Sequence, residues 1–343
     1  MTAAELRLHV PEQDRYAKIM GIGSYRPRRV VDNAEICTLI DSTDEWIRTR
    51  SGIRERRWAS ADETVHMMSL AAARTAVERS GLHPAQVDTV IVSTVTHLWQ
   101  TPSAAATIAS ELGATGAAAF DISAACAGFC YGVAMADSLV RTGSSTHVLV
   151  IGVERLSDLT NRGDRSTAFI FADGAGAAIV GPSPTPAIGP VVWGSDGDQA
   201  HLITQTEPWD RAMDSAGGDS PGGPQWPVLR MDGKPVFKWA AFTMAKAAAE
   251  ALDRAGGAAD EIEVFVPHQA NMRITDAMLR ALRLPESVVV ARDIERQGNT
   301  SAASIPLAID ALLASGEARS GQTCLIIGFG AGLVYAGQVI VLP

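Results

Sequence analysis

Cysteine is scarce in this chain: the 343 residues hold four, at positions 37, 126, 130 and 324, with no CxxC pair and no matching Cys/His cluster. That spacing argues against a structural zinc site and against a disulfide framework, and four unpaired thiols point to a reducing, cytoplasmic setting. Basic residues are outnumbered, 29 Lys and Arg against 38 Asp and Glu, and the net charge of −9 argues against a nucleic-acid surface. Charged residues at 20% are too few, and apolar ones at 47% too many, for a disordered chain. Met1–Asp14 has no apolar segment of the kind a secretory signal needs. The longest apolar stretch, Cys324–Leu342, is divided by Gly328, Gly330, Gly332 and Gly337 into β-branched runs. It reads as buried strands, so no membrane span is expected.

Six short apolar runs alternate with Ala-rich segments: Thr89–Ser93, Val148–Ile151, Ala177–Val180, Glu263–Val266, Cys324–Ile327 and Gln338–Leu342. Alternation of this kind predicts an α/β sheet protein. The clearest helix is Glu63–Ser80, with Ser60 and Glu63 as a capping box and Gly81 as its stop. The two halves of the chain also resemble each other. Asp88–Thr94 aligns with Ile262–His268 and His147–Val153 with Thr323–Phe329, at offsets of 174 and 176 residues. A nearly constant offset predicts a duplicated α/β unit. The boundary is expected in the Pro/Gly-rich connector Gly181–Gly189, giving halves 1–185 and 186–343. Gln205–Pro235 reads as one long irregular stretch, of the kind that serves as a surface loop or lid.

Chemistry concentrates in a few places. Cys126 follows a short strand and opens an Ala-rich run, where a helix N-terminus would lower its pKa and make a nucleophile; the alternative is a buried thiol packing as a small hydrophobe. Cys37, Cys130 and Cys324 read as core. His268 stands directly after a strand among Gln269 and Asn271, at a carboxyl edge where α/β sheets carry their sites, with His97 as runner-up. A structural hydrogen-bonding role competes at both. Asn299 precedes an Ala/Ser-rich run and is either a helix cap or a site residue. The glycines of Gly328–Gly337 permit backbone N–H groups to approach a ligand, as an oxyanion hole requires, or serve tight turns. None of the Gly-rich runs is a GxGxxG leading into a helix, which disfavours a nicotinamide-dependent oxidoreductase. Near the N-terminus, Ser42 and Glu45 form a capping box, and Trp46 and Arg50 share the helical face behind it. An aromatic ring with a guanidinium suits an adenine nucleotide, a solvated basic helix being the alternative.

The order and spacing of AACAGF at Ala124–Phe129, PHQAN at Pro267–Asn271 and GNTSAAS at Gly298–Ser304 resemble β-ketoacyl-acyl-carrier-protein synthase III, most closely its actinobacterial members, over about residues 19–343. That resemblance implies a thiolase fold: two duplicated α/β halves stacked as five layers, α-β-α-β-α, in a homodimer. It implies an acyltransferase that condenses an acyl-CoA with malonyl-acyl-carrier protein and needs neither metal nor organic cofactor. Carried over residue by residue, Cys126 is the acylated nucleophile, and His268 and Asn299 handle the malonyl thioester. The N–H groups of Cys126 and Ala331 form the oxyanion hole, Ala331 standing where the family usually has Gly.

The same resemblance implies that Ser42, Trp46, Arg50, Arg165, Phe237 and Asn271 bind coenzyme A, with Ser42 where Thr is common and Lys234 where an Asn commonly meets the pantetheine arm. Lys238, Arg273 and Arg280 are the candidates for docking an acidic carrier protein. Thr101 replaces a Phe that limits acyl length in some relatives, so longer or branched primers are expected. Alternatives are a polyketide-priming synthase or an acyltransferase with another acceptor, and a non-catalytic partner subunit, which the retained Cys126 disfavours.

Overall fold

The apolar runs become strands because each alternates its side chains between two buried faces, as fully covered sheets require. In this computed structural model, which describes residues 15–212 and 226–343, the strands are β1 (Tyr16–Tyr25), β2 (Arg29–Asp32), β3 (Glu55–Trp58), β4 (Thr89–Ser93), β5 (Ala118–Ile122), β6 (Val148–Arg155), β7 (Asp173–Ser183), β8 (Val192–Ser195), β9 (Ile203–Gln205), β10 (Leu229–Met231), β11 (Val264–Pro267), β12 (Val289–Val290), β13 (Thr323–Gly330) and β14 (Val334–Val341). The helices are α1 (Asn33–Leu39), α2 (Asp44–Ser51), α3 (Val65–Ser80), α4 (Ala104–Leu112), α5 (Gly128–Thr142), α6 (Gly233–Arg254), α7 (Met272–Leu282), α8 (Ile294–Gln297) and α9 (Ser304–Ser315).

Two five-stranded sheets carry the architecture, in the orders β1-β7-β6-β4-β5 and β8-β14-β13-β11-β12. Position by position the orders correspond, with β4 parallel to β5 and β6, β11 parallel to β12 and β13, and the remaining pairs antiparallel. In β6, Val148 and Val150 face a central core shared by both sheets, while Leu149, Ile151 and Val153 face α3 and α4. In β13, Cys324 and Ile326 face the same central core, and Leu325, Ile327 and Phe329 face α6 and α7. Helices α5 and α9 fill the centre, through Phe129 and Val133 of one and Ile305 and Ile309 of the other. The layers therefore run α-β-α-β-α, and the expected thiolase arrangement of duplicated halves is present.

The repeat extends to the irregular backbone. Single-turn helices Ala125–Ala127 and Ser301–Ala303 precede α5 and α9, and each opens on a non-glycine residue at positive φ, Ala125 at 43° and Ser301 at 48°. Such conformations are costly for residues with a Cβ and persist only where packing imposes them. Each turn lies against the central strand of the other half. A Cβ added to Gly152 of β6 would fall 2.2 Å from the Ala302 carbonyl oxygen, and one added to Gly328 of β13 would fall 2.9 Å from the Cys126 carbonyl oxygen.

Two expectations need correction. Helix α3 starts at Val65, because Thr64 is its cap and accepts the Met67 N–H at 3.1 Å; Glu63 accepts the Ser60 N–H at 2.8 Å but lies in the preceding turn. Gly81 does end that helix, in the left-handed conformation. The Gln205–Pro235 stretch is partly regular, since β9 pairs with β10 and α6 begins at Gly233; its residues 213–225 lie outside the described ones, as does the Met1–Asp14 segment. Cys324–Leu342 forms two strands, and among the described residues no helix is long and apolar enough to cross a membrane.

The close approach at Gly152 yields a direct expectation. Gly152→Ala forces β6 away from the Ala302 turn and is expected to cost about 1–3 kcal/mol, the usual range for overpacking a dense core. Urea unfolding checks it, and unchanged stability would contradict the reciprocal packing.

Candidate functional site

The site forms where both turns meet the carboxyl ends of the central strands. Cys126, His268, Asn299, Ser301, Phe329, Gly330 and Ala331 line one cavity of about 1070 Å³. Its outer walls include Trp46, Arg50, Arg165, Lys234, Phe237, Asn271 and Arg273. A Cβ on Gly330 would come within 2.9 Å of the Cys126 sulfur. The glycines of β13 thus serve first to let the strand pass over the cysteine turn.

His268 follows β11 and is 2% exposed. Its N–H is donated to the Ile327 carbonyl at 2.8 Å, its Nδ1 lies 2.7 Å from Ser304 Oγ, and its ring meets Phe329 edge to face at 5.3 Å. Ser304 Oγ also accepts the Gln269 N–H at 3.3 Å. Burial depresses the imidazole pKa to about 3, so the ring is neutral near pH 7. Asn299, 6% exposed, accepts the Ser301 N–H on Oδ1 at 2.8 Å, and its own backbone bonds Ile170 and Ala172. The Oδ1 bond closes a turn just ahead of the Ser301–Ala303 helix, whose cap position is Thr300, and Asn299 belongs to the cavity wall.

Cys126 departs from expectation. Burial pushes its thiol up to about 12, outweighing a Ser301 hydroxyl bond and its own backbone N–H that favour thiolate, while the nearby Glu154 carboxylate pushes the same way as burial. Cys126 as a residue is half-buried, and desolvation of its sulfur in the cavity wall is the largest of these effects. Cys130 and Cys324 are buried as expected, and Cys37 is half-buried against the N-terminal cluster.

The outer-wall residues Trp46 and Arg50 are held by an N-terminal unit packed on Phe169–Phe171. Arg56, fully buried, donates to the carbonyls of Val31 and Phe169 and to Asn33 Oδ1, and Trp58 donates to the Phe171 carbonyl. Trp46 is thereby placed edge to face on Phe169 at 5.4 Å, with the Arg165 guanidinium 4.8 Å from its ring centre. Trp46 and Arg50 both border the cavity, Trp46 half-buried and Arg50 exposed. Thr43, not Ser42, caps α2, accepting the Trp46 N–H at 3.1 Å. Ser42 does not line the cavity, and its buried Oγ has no partner among the described residues. Asn271 lines the wall but is committed to protein bonds: Nδ2 donates to the Arg50 carbonyl at 3.1 Å and Oδ1 accepts the Arg273 N–H at 2.9 Å.

Lys238 on α6 and Arg273 and Arg280 on α7 are exposed, and Arg273 stacks over Phe237 of the cavity lining at 5.2 Å. Lys238 and Arg280 lie outside the lining, as do His97 and Thr101. Thr101 is exposed beside Leu98 and Trp99. Sequence reading missed Ser301, Ser304 and Glu154, a carboxylate inside the apolar run of β6, which is itself the signal. Among the described residues no group of three or more His, Cys, Asp or Glu is arranged to hold a metal ion.

Comparison with known proteins decides the family. Residues 120–197 match the model for 3-oxoacyl-[acyl-carrier-protein] synthase III, and residues 252–342 match the model for its C-terminal part. The chain is 58% identical over 328 residues to β-ketoacyl-[acyl-carrier-protein] synthase III of Streptomyces glaucescens, covering 96% of this chain and 97% of that protein. The chain belongs to the 3-oxoacyl-[acyl-carrier-protein] synthase III family. Among solved structures, a priming β-ketosynthase of a polyketide biosynthetic pathway superposes with a TM-score of 0.94 at 51% identity, covering 98% of each chain. The synthase III of Aquifex aeolicus VF5 superposes at 0.85 and 36% identity, covering 95% of this chain and 99% of that one.

The buried neutral imidazole gives a stability signature. Its folded pKa lies below the unfolded value near 6.5, so the unfolded chain binds more protons in between, and stability is full above pH 6.5 and lost as pH falls toward 3. Between pH 6.5 and 4.5 this group should remove about 2–3 kcal/mol, at 1.36 kcal/mol per unit. Denaturant unfolding of His268→Gln should show a shallower acid limb than the wild type; parallel limbs would contradict a buried neutral His268.

Proposed function

We propose that this protein condenses an acyl group from an acyl-CoA with the two-carbon unit of malonyl-acyl-carrier protein, initiating a fatty-acid or polyketide chain. The observation that carries this reading is the shared cavity lined by Cys126, His268 and Asn299, drawn from three distant stretches of the chain. The sulfur of Cys126 attacks the thioester, and the backbone N–H groups of Cys126 and Ala331 receive the oxyanion. Coenzyme A leaves, and the acyl group remains on Cys126. With the Ser304 hydroxyl proton given to Nδ1, His268 keeps its ring proton on Nε2. That proton and the Asn299 Nδ2, which has no protein partner among the described residues, are donated to the malonyl thioester carbonyl. They stabilise the enolate formed as CO₂ departs, and the enolate attacks the acyl-cysteine. The reaction so written calls on no metal or organic cofactor.

Trp46 and Arg165 would stack on the adenine side of coenzyme A with Arg50 nearby, and Phe237 and Lys234 would follow the pantetheine arm. Asn271 supports that wall through Arg50, and Ser42 contributes only beneath it. Lys238, Arg273 and Arg280 offer the carrier protein a local basic face on an otherwise acidic molecule. Two copies would pair along the free edge of β5, bringing the exposed Trp99 and Thr101 of each to the other, with the halves of each chain dividing near residue 185.

Two outcomes test the reading. With isobutyryl-CoA and malonyl-carrier protein, the wild type should release CO₂ and form β-ketoacyl-carrier protein, whereas His268→Ala and Asn299→Ala should still take up the acyl group yet lose CO₂ release by roughly 10²-fold or more. Absence of CO₂ release from the wild type with every acyl-CoA tried would overturn it. In competition, isobutyryl-CoA should acylate at least as fast as acetyl-CoA; a strong preference for acetyl would refute the role given to Thr101.

A further inference from the structure

Glu154 is fully buried at the end of β6, and the mechanism above leaves it unused. Its Oε2 accepts from the Thr96 hydroxyl at 2.8 Å, the Val95 N–H at 3.1 Å and the Thr94 hydroxyl at 3.3 Å. Its Oε1 accepts from the Ser301 hydroxyl at 3.2 Å. Every one of these donors is neutral. On the neighbouring strand β7 it faces Gly174, which has no side chain, and the adjoining Asp173 is spent on Ala59 and Ser157. Arg155 turns its Nε to Asp158 at 3.2 Å. From the Ala125–Ala127 turn, the titratable group that Glu154 meets is Cys126. Burial raises the carboxyl to about 7, and the donated hydrogen bonds pull it back only in part.

Ser301 is the link. Its hydroxyl donates to Glu154 at 3.2 Å and stands beside the Cys126 sulfur in the same cavity wall, yet it has one proton to give. Its backbone is fixed by positive φ and by the N–H given to Asn299 Oδ1, so the hydroxyl can only turn between two neighbours. A thiol that must lose a proton, a reversible hydroxyl and a buried carboxylate without a cation stand in line.

We propose that Ser301 and Glu154 form a proton relay for Cys126. The proposal rests on the reading of Cys126 as the acyl acceptor. At rest the S–H donates to Ser301 Oγ, and the Ser301 O–H donates to the Glu154 carboxylate. As the S–H electron pair becomes the S–C bond, the thiol proton passes to Ser301 Oγ and the serine's own proton passes to Oε1. The bond to coenzyme A breaks, and the leaving thiolate takes a proton from solvent. In the second half-reaction the enolate displaces Cys126, the S–C electron pair returns to sulfur, and the relay runs backward to restore the thiol. In this relay Ser301 exchanges a proton with the reacting sulfur and is a catalytic residue; Glu154 acts through it and is a positioning residue.

Single-turnover acylation of Cys126 by an acyl-CoA, followed by intact mass from pH 5.5 to 9.5, tests the relay, with iodoacetamide alkylation in parallel. In the wild type both rates should rise through the titration of Glu154 near pH 7 and level off. In Glu154→Gln and Ser301→Ala both should fall by about 10²-fold at pH 7.5, a general-base effect, and should rise with pH without a plateau. The double variant should be no slower than the slower single, as groups acting in series require. Wild-type rates and pH profiles in Glu154→Gln, or additive losses in the double variant, overturn the relay. Should Glu154→Gln fail to fold, the Ser301→Ala profile decides alone. A wild type that alkylates with the plateau but takes no acyl group sinks the condensing reading and leaves the relay standing.

Discussion

The structure depends on two backbones touching. Where the turn at Cys126 crosses β13 and the turn at Ala302 crosses β6, glycines 328 and 152 leave no room for a Cβ, and they stand 176 residues apart in equivalent strands. This mutual interlock presses each turn into positive φ at Ala125 and Ser301. It brings the first residues of α5 and α9 to one place, and the helices themselves form the middle layer. The cavity is therefore a by-product of how duplicated halves must pack. Its chemistry comes from what differs between them: a cysteine at 126 where the other half has Ala302, and Ser301 where the first has Ala125.

Dryness is the second constraint. The same burial that holds His268 neutral raises the thiol of Cys126 and the carboxyl of Glu154. No charge at the centre of the site is matched by a fixed counter-charge, so the resting groups favour their uncharged forms, and any charge made during reaction must be met by hydrogen bonds already aimed at it. Charge is kept for the outer wall, where Arg50, Arg165 and Arg273 border the cavity and water can reach them.

Much of this was legible in the sequence because it is local. The apolar runs mark their own strands, the constant offset reveals the duplication, and the spacing of Cys126, His268 and Asn299 in three motifs marks the site. What stayed hidden is set by three-dimensional context. Ser42 and Thr43 are equally good caps by type, and only the entry angle of the chain chooses Thr43. The lowered thiol pKa expected from a helix N-terminus ignores solvent loss, which no local pattern encodes. β9 and β10 are three residues each and far apart in the chain, so no turn signal joins them. Asn271 looks like a ligand contact in sequence and proves to be occupied by its own helix and by Arg50.

The account turns on one atom, the sulfur at position 126, accepting cargo from a pantetheine thioester inside this cavity. Intact-mass measurement after exposure to a panel of acyl-CoAs, with peptide mapping and Cys126→Ala as control, tests it most directly. The predicted result is a single acyl addition that maps to Cys126 and vanishes in the variant. An addition that persists in Cys126→Ala, or no addition from any acyl-CoA, would contradict it.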